Sequence, residues 1–143
     1  MASVYVMGRL PSRIFNKEVD YEADTIKLML LSSSATPNVD THVYLADVEG
    51  DEVSGTGYVA SGETLTGKTI SYNSGTDTTS FDADDVTWSS STITARYGIL
   101  YVDTGDSSTS PIIAYMDFDA EKSSSSGDFT VQFNASGIFT ATV

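Results

Sequence analysis

The chain has no cysteine, a single histidine, three prolines and only seven basic residues against twenty acidic ones in 143 positions. Each scarcity removes a class of explanation. Without cysteine there is no disulfide framework, no thiolate metal site and no thiol nucleophile; at this length a core closes without such staples. One histidine leaves no partner set for a histidine metal site or a Ser-His-Asp relay, and no G-x-S-x-G elbow is present. A formal charge of −13 makes the phosphate term repulsive, so neither nucleic acid nor an anionic membrane is an expected partner. No run approaches the ~18 apolar residues of a membrane helix, and the start of the chain lacks the apolar centre of a secretory signal. Synthesis in a cytoplasm is the expectation.

Serine and threonine are abundant, whereas leucine, lysine and glutamate are sparse. That balance disfavours helices and suits short strands joined by polar turns. The strongest strand is Thr92–Val102, TITARYGILYV, with Arg96 as its only charge. Alternation puts Ile93, Ala95, Tyr97, Ile99 and Tyr101 on one face, with Leu100 and Val102 on the other. A strand apolar on both faces belongs in the middle of a sheet. Thr25–Leu31 is a second strand, with Ile26, Leu28 and Leu30 facing away from Lys27 and Met29.

Further strands are expected over Val53–Gly62, where internal glycines mark a bulge or a close backbone approach, and over Ile112–Phe118. Two hairpins are expected. Leu65–Tyr72 pairs with Thr78–Ala83 around Asn73–Asp77, and Phe129–Phe133 with Ile138–Val143 around Asn134–Gly137. His42–Val48 reads as a short helix capped by Asp40 or Thr41. The sum is an all-β fold: an antiparallel β-sandwich or jelly-roll-like barrel of about 8–10 short strands with at most one short helix. Residues 20–143 form the single β-domain. Residues 1–19, which hold Arg9, Arg13 and Lys17, form an N-terminal arm, either an edge strand or an extended segment.

Four patterns bear on chemistry, and each has a plainer explanation. Gly62–Thr69 fits GxxxxGK[ST], but β-branched residues follow the lysine where a phosphate-binding loop needs a helix. Asp77, Asp82, Asp84 and Asp85 offer oxygens to Ca²⁺, yet lack the spacing of an EF-hand loop and read as solvated turns. Asn134-Ala135-Ser136 is a glycosylation sequon without a secretory signal. Trp88, Tyr97 and Tyr101 could stack on sugars, but their place in or beside the central strand makes them core residues. No catalytic residue, cofactor or metal is expected.

The blocks DTIKLMLL, EVSGTGYVASGETL, FDADDVTWSSSTITARYGILYV, SPIIAYMDF and GDFTVQFNASGIFTATV, in that order, resemble a family of small tailed-bacteriophage virion structural proteins. Some of its members are similar to head decoration (cement) proteins. The resemblance implies a non-enzymatic β-protein, made in the host cytoplasm, that binds the capsid exterior and bridges neighbouring major capsid subunits. Its partners would be the major capsid protein and neighbouring copies of itself. The arm supplies the expected contacts, Val4, Tyr5, Arg9 and Arg13. The other reading is a carbohydrate-binding or adhesin module of a head or tail fibre, which requires exposed aromatics on one face.

Overall fold

The computed structural model describes residues 2–143 and shows an all-β, sandwich-like protein built from three antiparallel sheets. In chain order the elements are β1 (Ser3–Val6), α1 (Leu10–Phe15), β2 (Ile26–Leu31), β3 (Glu63–Thr64), β4 (Thr69–Asn73), β5 (Thr78–Asp82), β6 (Val86–Ser91), β7 (Thr94–Val102), β8 (Ile112–Ser123), β9 (Gly127–Val131) and β10 (Phe139–Thr142). The main sheet has the order β1-β8-β7-β2-β3; β10-β5-β4 and β6-β9 form the two smaller ones.

The expected central strand is central. β7 lies between β8 and β2, and its last five residues are all buried. Two apolar cores flank the main sheet. The larger takes Ile26, Leu28 and Leu30 of β2 together with Trp88, Phe129, Val131 and Phe139 from the smaller sheets. The other takes Met29 and Leu31 with Met7, Leu45, Val48, Ile99, Tyr101 and Ile112. The simple alternation expected along Thr92–Val102 fails at one point. Ile93 and Ala95 enter the larger core while Ile99 and Tyr101 enter the smaller. Between Ala95 and Tyr97 the register with β8 slips: Ala95 pairs with Lys122, but Tyr97 pairs with Asp117. Such an irregularity re-aims side chains, and it sits at Arg96, whose guanidinium bonds Asp117 at 2.8 Å.

Val53–Gly62 is not a strand. Apart from an isolated bridge at Thr56, it crosses the sheet edge irregularly and satisfies β2 by other means. Val53 N–H donates to the Leu30 carbonyl at 3.0 Å, and Leu30 N–H donates to the Tyr58 hydroxyl. The glycines serve close approach, one of the two expected roles. A Cβ on Gly62, at φ +83°, would stand 1.9 Å from the Leu28 carbonyl oxygen.

Two more expectations are corrected. Residues 42–48 hold only a three-residue 3₁₀ turn, Leu45–Asp47. The amides of Leu45 and Ala46 donate outward, to the carbonyls of Ser110 and Ser107, so no helical ladder forms. The last two strands are not a hairpin, because β9 pairs with β6 and β10 with β5. The turn at Asn134–Gly137 is real, with Gly137 N–H donating to the Asn134 carbonyl. Past it, however, Ile138 N–H bonds the Phe81 carbonyl and Phe139 stacks on Phe81 at 4.6 Å. The hairpin around Asn73–Asp77 does form, with Asn73 opposite Thr78.

Segment 2–19 is not an arm apart from the domain. β1 pairs with β8, and Met7, Leu10 and Val19 are buried in the two cores. Of the two forms expected for it, the edge strand is the one present.

Two predictions concern stability. Ile93→Ala and Ile99→Ala each empty a buried site and should each cost about 2–5 kcal/mol in urea unfolding. The second concerns acid. Amides of Val43 and Tyr44 hold the Asp47 carboxyl below the usual carboxylate range, and Lys27 does the same for Asp103. Depressed values stabilise the fold fully above the unfolded carboxylate pKa of about 4, and that stability is lost as pH falls through the folded value. Unfolding free energy should therefore fall on acidification, and Asp47→Asn combined with Asp103→Asn should make the fall shallower. An unchanged slope would remove these two residues from the account.

Candidate interaction surface

Val4 and Val6 favour an extended chain through β-branching, and β1 takes the edge of the main sheet. In register, Val4 lies opposite Met116 and Tyr5 opposite Tyr115. Val4 is half-buried against the larger core. Tyr5 stacks on Tyr115 with ring centres 4.8 Å apart and planes at 17°, leaving its outer ring face open at 45% exposure. Proline in the first turn starts α1, a position where its missing N–H costs nothing. Leu10 and Ile14, four apart, turn toward the larger core. Phe15 falls off that stripe and is 87% exposed.

The four expected contact residues therefore separate. Tyr5 and Arg9 are exposed and Val4 is half-buried. Arg13 is buried and employed inside the fold: its guanidinium bonds Glu18 at 2.7 Å and lies 4.8 Å from the centre of the Tyr44 ring. It ties α1 to the loop over the smaller core and is not a surface group. Among the described residues Arg9 makes no ion pair. Val6 and Phe15 are further exposed apolar residues of this segment, which sequence reading missed. The Leu10–Ile14 spacing was the available signal, since it leaves Phe15 outside the helix's apolar stripe.

The other candidate groups are dispersed. Among the described residues no three of His, Cys, Asp or Glu gather as metal ligands. Asp82 accepts from Ala83 N–H, Asp84 from the Thr66 hydroxyl and Asp85 from Phe133 N–H. Asp77 accepts from the Tyr72 hydroxyl. Asp77 and Asp82 serve their own turns, while Asp84 and Asp85 tie theirs to distant segments. In the GxxxxGK[ST] stretch, Lys68 donates to the Asp24 carbonyl and Thr69 begins a strand, not a helix. His42 Nδ1 accepts from Asn38 N–H at 3.2 Å. Asn134 Oδ1 accepts from Ser136 N–H. Trp88 and Tyr101 are buried and Tyr97 is half-buried, so these rings are not a sugar-stacking platform. A groove of about 500 Å³ between the ends of β8 and β9 sets Lys122 near Asp119 and Asp128. Its Ser123 hydroxyl is paired with that of Thr94.

Among the described residues no helix is long and apolar enough to cross a membrane. The chain matches no protein-family model, no curated protein and no solved structure.

The two arginines should behave oppositely. Arg13→Ala leaves Glu18 unpaired and opens packing against Tyr44, so it should lower the melting temperature clearly. Arg9→Ala should change unfolding free energy by no more than about 0.5 kcal/mol, as surface substitutions usually do. Equal destabilisation by both would contradict the division.

Proposed function

We propose that the protein is a bacteriophage virion structural protein that decorates the capsid exterior and bridges neighbouring major capsid subunits, with no catalytic role. The single observation that carries the reading in the fold is the composition of the N-terminal surface. On a chain of net charge −13, exposed apolar groups (Tyr5, Val6 and Phe15) lie in the same short segment as the exposed cation Arg9. Aromatic residues and arginine are the groups that most often anchor protein–protein contacts. The block-wise resemblance to phage virion proteins supplies the identity of the partner.

The rest of the chemistry fits such a role. A strongly acidic body is repelled by packaged DNA and stays soluble at high copy number before assembly. Rigid β-sheets without disulfides form in a reducing cytoplasm. Contacts repeated over a lattice add through avidity, so each can be weak.

The integration of β1 and α1 into the cores decides which experiment is informative. Removing residues 1–13 would take away an edge strand and the buried Met7 and Leu10, and would test folding instead of binding. Point variants on the surface avoid this. Phe15→Ser, or Arg9→Glu, should weaken binding to capsids lacking the protein by about tenfold or more without changing the melting temperature. Undiminished binding by all of these variants would sink the assignment of the surface. Absence of the protein from purified virions would sink the function.

A further inference from the structure

The chain has a single histidine, and a nitrogen of its ring serves as a hydrogen-bond acceptor. Asn38 N–H donates to His42 Nδ1 at 3.2 Å, and His42 N–H donates back to the Asn38 carbonyl at 3.1 Å. Between them, Asn38 Oδ1 accepts from the amides of Asp40 and Thr41. Residues 38–42 are thus a closed loop, fastened twice by the same two residues. An accepting ring nitrogen needs its lone pair, so this closure requires neutral imidazole with its proton on Nε2.

The loop sits where its closure matters. The Val39 carbonyl, inside it, accepts from Gly8 N–H at 3.0 Å, and Gly8 lies in the joint between β1 and α1. The approach is tight, because a Cβ on Gly8 would stand 3.3 Å from that carbonyl oxygen. Val39 also packs on the smaller core, which takes Met7 from the same joint. Just past the loop, the Val43 carbonyl accepts from Ile112 N–H of β8, and Tyr44 lies against the Arg13 guanidinium of α1. The segment is therefore anchored on the main sheet and holds the joint from there.

We propose that His42 is a pH-operated latch on the joint between β1 and α1. In the neutral ring Nδ1 keeps the loop closed and the Val39 carbonyl in place for Gly8. On protonation Nδ1 becomes a donor, and two N–H groups then face each other where one bond had been. Asn38 is exposed, so water replaces the lost acceptor and the opening stays local. The imidazolium has a second partner close by. The Asp47 carboxylate feels the charge of His42 and accepts from the Val43 and Tyr44 amides through Oδ2, leaving Oδ1 for the ring. Each protonation state thus has its own partner, Asn38 or Asp47, which makes the ring a two-position element.

The other charged groups on the segments packed here are Asp40 in the loop, Arg9 and the Arg13–Glu18 pair around α1, and Asp106 ahead of β8. Carboxylates ordinarily titrate near about 4 and guanidinium groups above about 12. Between roughly pH 5 and 8 only histidine among the ordinary side chains changes charge, so one residue accounts for any step in that window. The latch does not rest on the capsid reading, although the joint it holds is followed directly by Arg9.

Amide NMR of the full chain between about pH 5 and 8 tests the latch. On acidification the exchange protection of Asn38 and Gly8, corrected for intrinsic rates, should fall together with the midpoint of the His42 ring signals. The fall should be several-fold to about tenfold, the worth of one neutral hydrogen bond, while Leu100 in β7 keeps its protection. His42→Gln, whose carboxamide does not titrate, should remove the step. Asp47→Asn, which takes the second partner from the protonated ring, should move it to lower pH. The proposal is overturned if the ring titrates while both amides keep their protection, or if Asn38 responds and Gly8 does not. Survival of the step in His42→Gln, or an unmoved step in Asp47→Asn, overturns it equally.

Discussion

The structure depends on how the backbone of two apolar strands is satisfied. β2 and β7 are buried on both faces over most of their length, so their amides and carbonyls have no water to turn to. β7 solves this with a strand on each side. β2 has β7 on one side, but on the other only the two residues of β3. The rest of that edge is closed by single groups. Leu65 N–H bonds the Ile26 carbonyl, Val53 N–H the Leu30 carbonyl, and the Tyr58 hydroxyl takes Leu30 N–H. Glu52 then fixes that hydroxyl, accepting from it at 2.8 Å and from Ser61 N–H at 2.6 Å. Burial pushes the Tyr58 phenol far above its ordinary pKa, which keeps the hydroxyl protonated as a donor to Glu52. A segment without regular structure thus performs the task of a missing strand.

This arrangement explains which parts of the fold were legible in the sequence. Where stability comes from local alternation and turn chemistry, reading succeeds: β2, β7 and the β4–β5 hairpin follow from apolar period and an Asn-Ser-Gly turn. It fails where a distant partner decides. Val53–Gly62 has the composition of a strand, but its glycines exist to let Leu28 and Thr92 come close. The amides of Leu45 and Ala46 carry nothing to say that Ser110 and Ser107 await them. The turn at Asn134–Gly137 is visible, whereas the change of sheet after it is dictated by Phe81, more than fifty residues earlier. The face reversal along β7 comes from β8's register, which no pattern within β7 encodes.

The candidate surface was legible in part for the same reason. A basic start to an acidic chain is a compositional signal, and it drew attention to Arg9 and Arg13 together. Only packing separates them, since Arg13 finds Glu18 five residues on and Tyr44 much further. Phe15 and Tyr72 illustrate the converse. Each would be assigned to a core by residue type, and each is left outside because the elements that carry them are covered on one side only.

Acidity and uncharged strand edges then act together. Natural sheets keep their edges from indiscriminate pairing with short strands, charges or proline. β3 is only two residues long, and Glu22 accepts from the Ile70 amide at the edge of β4. The remaining protection is global, because two bodies of charge −13 repel until surfaces without charge, or of opposite charge, face one another. Repulsion of that kind falls with distance and with salt, so it discriminates by orientation at contact more than by attraction from afar. Approaches that bring acidic loops together are rejected, and those that bring β1 or β4 to a neutral or basic partner are not. In the proposed capsid role, where association is confined to a few geometries, the acidic residues select the encounter at contact.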